Sequence, residues 1–246
     1  MNEKILEKSR VIQKKFSPFI TLPEKIGCNK KKGPLSGIAL SVKDNICTKG
    51  MQTTAGSKIL EGYIPPFNAT CIERVLDAGG TILGKTAMDE FGFGTFSVNC
   101  AYGIPKNPLD AERSCGGSSG GASCITAAAD FPHVALAEST GGSISCPASF
   151  TGTVGLTPTY GLVSRWGLID YANSLDKIGC IGKTVHDVTL LLSVIAGNDS
   201  KDSTSLNVPK QDYTKYLKKD IKGMKIGVPK EYFEGVDEKI TKVIWN

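Results

Sequence analysis

Strands alternating with helices along the chain predict a layered α/β fold. Two observations carry that expectation. Apolar runs of strand length recur at 37–42, 81–83, 133–138 and 224–229, and segments of helical periodicity lie between them, marked by capping residues and closing glycines. Residues 1–17 set Ile5, Val11, Ile12 and Phe16 among many charges, as a surface helix does. The buried strand at 37–42 delivers Lys43, Asp44 and Asn45 at its end. Thr70 and Glu73 have the spacing of a capping box, and Ile72, Val75 and Leu76 give the following helix one apolar face, closed by Gly79. Residues 81–83 form a brief strand. The small residues of 119–129 suit a tightly packed helix, with the strand 133–138 after it. Thr184 and Asp187 open a helix that places Val185, Val188, Leu191, Leu192 and Ile195 on one side, with Gly197 behind it. A polar loop at 201–212, a strand at 224–229 and a charged stretch that begins another helix complete the chain. With no internal repeat and no linker of consequence, residues 1–246 read as a single domain.

Composition narrows the class. A chain of 246 residues can bury a sizeable core, and 40% hydrophobic with 22% charged residues is ordinary for a globular protein. Much of the net charge of +5 comes from basic runs at 30–32 and 215–225, which read as solvated faces. No stretch approaches the length of a membrane-spanning helix, and the first residues mix acids with bases, unlike a signal peptide. A cytoplasmic location is the expectation. The eight cysteines contain no C-x-x-C pair and only His133 and His186 are available to join them, so small core residues are expected, with neither disulfide framework nor metal site.

Chemistry is concentrated in two glycine-rich loops, GGSSGG at 116–121 and STGGSIS at 139–145, together with Lys43. Glycine lets backbone approach a ligand closely, and a lysine in a dry site can act as a base. Two serines and a lysine suffice for acyl transfer without histidine. Two other patterns are decoys. GGTILGKT at 79–86 matches a phosphate-binding loop, yet it follows a helix and its middle residues favour a strand. GGSSG at 116–120 matches a nucleophile elbow, yet the preceding NPLDAERSC is polar and turn-like where an elbow needs an apolar strand. His186 reads as a residue on a helix surface, and His133, beside Pro132, is a weaker base still.

The blocks SVKDNI (41–46), GGSSGG, STGGSIS and TVGLTPTYGLVSRWG (153–167), in this order, resemble the amidase signature family of amide hydrolases. TTAGSKIL (53–60), GKTAMDEFGFG (84–94), NPLD (107–110) and SLDKIGCIGKTVHDVTLLL (174–192) are most similar to the A subunits of tRNA-dependent amidotransferases within it. The resemblance implies an α/β/α architecture with a central mixed sheet flanked by helices, incomplete at the C-terminus because the chain matches an N-terminal half. It implies Ser143 as nucleophile, Ser118 as proton relay after a cis peptide, Lys43 as base and Ser119 as a hydrogen-bonding support of Ser118. Backbone N–H groups of Thr140, Gly141 and Gly142 would form an oxyanion hole, each donor typically worth ~2.7–4 kcal/mol. It also implies glutamine as substrate, with ammonia passed to a partner B subunit that amidates Glu-tRNA(Gln) or Asp-tRNA(Asn) using ATP and Mg2+, and a C subunit bracing the pair. The tRNA would be engaged mainly through the partner, and this chain would hold no cofactor or metal. A stand-alone amidase on another primary amide, or an inactive scaffold subunit, are the alternatives. Two departures stand out: Ser139 and Ser145 replace the aspartate and arginine usual around the nucleophile, and loss of both together strands no buried charge.

Overall fold

The computed structural model describes residues 2–27 and 29–246. The chain forms two compact units, Met1–Thr214 and Lys215–Asn246. The first is built on a six-stranded sheet: β1 (Phe19–Thr21), β2 (Ala39–Lys43), β3 (Thr81–Thr86), β4 (His133–Ser139), β5 (Val154–Leu156) and β6 (Lys177–Gly182), in the spatial order β1-β3-β2-β4-β6-β5. β2 runs parallel to both β3 and β4, while β1, β5 and β6 pair antiparallel, so the sheet is mixed as expected.

Side-chain alternation along β4 decides which helices cover which face. Val134 and Leu136 join Leu40 and Val42 of β2 in a core closed by α2 (Thr70–Asp77) and α5 (Val185–Ile195). Ala135 and Ala137 point to the other face, against Ala122 of α3 (Gly120–Ala128). Ile5 and Ile12 of α1 (Asn2–Phe16) extend that second layer over Phe19, Leu83 and Ile125. Every residue of β2 and β4 is buried, which is the condition of central strands sandwiched between helices.

Several sequence expectations are corrected. The Thr70–Glu73 capping box does not form: Ala69 caps α2, and the Thr70 hydroxyl donates instead to Asp199 Oδ2 at 2.6 Å. The Thr184–Asp187 box does form at α5. Residues 224–229 make no strand; Met224, Ile226 and Val228 are exposed, and no ladder partner exists for them among the described residues. The charged stretch after them does become a helix, α6 (Glu238–Trp245). Strands β1, β5 and β6 and the short helix α4 (Ser145–Thr151) were not expected.

The segment 79–86 forms no phosphate loop: its last six residues are β3. Lys85 is enclosed, donating to the Ile46 carbonyl at 2.8 Å and Thr53 Oγ1 at 2.7 Å, with Asp44 Oδ1 at 3.4 Å. Burial lowers its pKa from the usual lysine value, against the pull of Asp44. Cys47, Cys71, Cys115, Cys124 and Cys180 are buried and unpaired, and Cys100 and Cys146 are half-buried; Cys28 lies outside the described residues.

Candidate active site

Lys43 ends β2, so its side chain leaves the carboxyl end of a central strand whose neighbours run parallel to it. No part of it is exposed. Its Nζ lies 2.7 Å from Ser118 Oγ, 2.8 Å from Glu138 Oε2 and 3.0 Å from the Glu138 carbonyl oxygen. The structure therefore brings Lys43 and Ser118 together, and adds a carboxyl group that sequence reasoning missed. The available signal was Glu138 itself, an ionisable residue near the end of a mostly apolar strand, where burial demands a partner.

Ser118 is held by the glycine loop ahead of α3, and the Gly117–Ser118 peptide is cis. Position 117 has room only for glycine: a Cβ there would lie 2.3 Å from Asp89 Oδ2 and 2.7 Å from the Ser97 amide nitrogen. Asp89 is buried and accepts from the amides of Ser97 (2.9 Å) and Asn99 (3.0 Å), which fastens the 89–99 loop beside Ser118.

Ser143 sits in the bend between β4 and α4 and is 9% exposed, whereas Ser118 is wholly enclosed. The Ser119 amide donates to the Ser143 carbonyl at 3.3 Å and stitches the two glycine loops together. The Ser119 hydroxyl donates to the Glu138 carbonyl at 3.0 Å, and not to Ser118. Among the described residues, the Ser143 and Ser118 hydroxyls are not hydrogen-bonded to each other.

The bend itself is shaped by the two unusual serines. Ser139 Oγ donates to the Gly141 carbonyl at 3.0 Å and Ser145 Oγ to the Gly142 carbonyl at 3.3 Å. Both are neutral bonds to the backbone, and they fix the orientation of both glycine peptides. The amides of Gly141, Gly142 and Ser143 donate to no described residue. Behind the bend, Thr140 Oγ1 lies 2.6 Å from Asp176 Oδ1 and 3.0 Å from Glu138 Oε1.

Neither histidine enters this site. His133 is buried, with its ring nitrogens 3.1 Å from Ser41 Oγ and 3.3 Å from Thr126 Oγ1, and burial pushes its pKa down to about 3. His186 is exposed on the first turn of α5. No group of His, Cys, Asp and Glu suited to a metal ion occurs among the described residues.

Residues 21–245 match the family model described as Amidase. The chain belongs to the amidase family. It is 48% identical to the A subunit of glutamyl-tRNA(Gln) amidotransferase from Methanosarcina acetivorans over 98% of its own length and 51% of the relative's, and 53% identical to that of Methanococcoides burtonii over 87% and 45%. The crystal structure of the corresponding protein from Thermotoga maritima superposes with a TM-score of 0.89 at 40% identity, covering 98% of this chain and 54% of that one. The peptide amidase of Stenotrophomonas maltophilia superposes with a TM-score of 0.80 at 33% identity, covering 88% and 48%. The chain thus spans about half the length of the amidase-family relatives it matches. No helix among the described residues is long and apolar enough to cross a membrane.

Proposed function

We propose that this chain contributes the amide-hydrolysing site of a tRNA-dependent amidotransferase, acting as its glutaminase. The observation that carries the reading is the 2.7 Å contact of buried Lys43 with Ser118, next to a glycine bend that leaves Ser143 reachable. Ser143 attacks the side-chain amide carbon of glutamine. Its proton passes to Ser118 Oγ as the Ser118 proton passes to Lys43 Nζ. This requires the Ser143 hydroxyl to turn toward Ser118, and such bonds often tighten only once substrate is bound. The amides of residues 140–143 receive the oxyanion, a service each donor renders at ~2.7–4 kcal/mol. The proton returns from Lys43 through Ser118 to the amide nitrogen, so that collapse of the tetrahedral intermediate releases ammonia. Water, deprotonated by the same relay, then cleaves the acyl-enzyme.

By similarity to the amidotransferase relatives, the ammonia goes to a B subunit that amidates Glu-tRNA(Gln) or Asp-tRNA(Asn) with ATP and Mg2+, and a C subunit completes the complex. Likeness to a peptide amidase supports a second reading, an amidase that acts without partners. Ammonia release from glutamine, measured for the chain alone and with B and C subunits, separates the two. Under the first reading Ser143→Ala abolishes the release while amidation from added ammonia persists. Glutamine hydrolysis surviving in Ser143→Ala would move the nucleophile elsewhere.

A further inference from the structure

The hydrogen bonds behind the site assign a proton. A threonine hydroxyl has one hydrogen to donate, and a carboxylate only accepts. Thr140 Oγ1 nonetheless approaches two carboxyl oxygens, Asp176 Oδ1 at 2.6 Å and Glu138 Oε1 at 3.0 Å. Asp176 is buried, and its other oxygen accepts from the amides of Tyr171 (2.7 Å) and Ala172 (2.9 Å), an arrangement made for an ionised carboxylate. The Thr140 hydrogen therefore goes to Asp176, the nearer oxygen. The contact with Glu138 then needs its hydrogen from Glu138.

We infer that Thr140 and Asp176 are positioning residues that hold a proton on Glu138 Oε1. The consequence reaches Lys43, and it rests on the reading of Lys43 as the base. Of its three neighbours, the carbonyl oxygen of Glu138 and Glu138 Oε2 can only accept, the latter also taking a bond from Asn45 Nδ2 at 3.2 Å. A neutral amine has two hydrogens for those two oxygens and one lone pair. The lone pair is left for the Ser118 hydroxyl at 2.7 Å. Relative to a lysine ammonium beside a glutamate carboxylate, one proton has moved from Nζ to the carboxyl group and no charge has entered or left. The resting site is thus ready to accept a proton from Ser118.

Infrared spectroscopy of the full chain, labelled with 13C at glutamate side-chain carboxyls, tests this without measuring activity. At neutral pH the wild type should show an isotope-shifted carbonyl band of a protonated carboxylic acid. That band should vanish in Glu138→Gln and in Thr140→Val, and return in Thr140→Ser, which restores the hydroxyl. Absence of the band from the wild type overturns the assignment and leaves the nucleophile reading untouched. So does a band that persists in Thr140→Val. Should Glu138→Gln fail to fold, the Thr140 pair decides the question.

Discussion

Lys43 Nζ and Glu138 Oε2 lie 2.8 Å apart, and neither side chain is more than 1% exposed. The two come from the carboxyl ends of adjacent parallel strands, so the register of β2 with β4 sets their meeting. Together they are net neutral, which is what permits both to sit where either alone would leave a polar group unmet. Replacing one partner should therefore destabilise the fold by about 1–3 kcal/mol, the usual consequence of an unsatisfied buried group. Replacing both, as Lys43→Met with Glu138→Leu, should recover most of that loss while abolishing activity. Urea denaturation of the two single variants and the double one measures the coupling. Strictly additive losses would mean that the pair does not act as a unit.

His133 should make the fold acid-sensitive. Its pKa falls from 6.5 to about 3 on burial, so below pH 6.5 the unfolded chain takes up a proton that the folded chain refuses. Stability should decline as pH drops from 6.5 toward 3, by roughly 2–3 kcal/mol by pH 4.5 from this group. His133→Gln should flatten that part of the pH profile. A wild-type profile that is flat between pH 6.5 and 4.5 would contradict the burial argument.

Lys85 is committed to structure, since its donors hold the Ile46 carbonyl and Thr53. Titration of ATP and Mg2+ into the chain should give no saturable heat. Micromolar binding that disappears in Lys85→Ala would reinstate the phosphate-loop pattern at 79–86.

The sequence exposed the parts of this fold governed by local rules. The Thr184 cap, the helix at α5 and the buried strands β2 and β4 follow from periodicity and side-chain chemistry within a few residues. What stayed hidden depends on distant partners. β6 was not expected, and its Gly179 is explained by distant neighbours: a Cβ at 179 would lie 2.3 Å from the Leu156 carbonyl oxygen and 2.8 Å from Ile144 Cδ1. Thr70 has the spacing of a cap, yet Asp199, 129 residues away, takes its hydroxyl. At the site, the meeting of Lys43 with Ser118 was legible from a lysine at a strand end and a serine in a glycine-rich loop. Glu138, Thr140 and Asp176 were not seen as a set, because their grouping depends on strand register and on a loop that returns before β6. Conversely, the apolar run at 224–229 has strand periodicity but no partner strand among the described residues.

Covalent labelling of Ser143 is the most direct test of the acyl-transfer reading. The full chain, treated with a fluorophosphonate that reacts with activated serines, would be digested and mapped by mass spectrometry. One adduct is expected, on the peptide carrying Ser143, and none in Ser143→Ala. It should be lost equally in Lys43→Ala and Lys43→Arg, since arginine cannot accept the proton. An adduct on Ser118, no adduct on folded protein, or labelling of Ser143 that is undiminished in Lys43→Arg would contradict it.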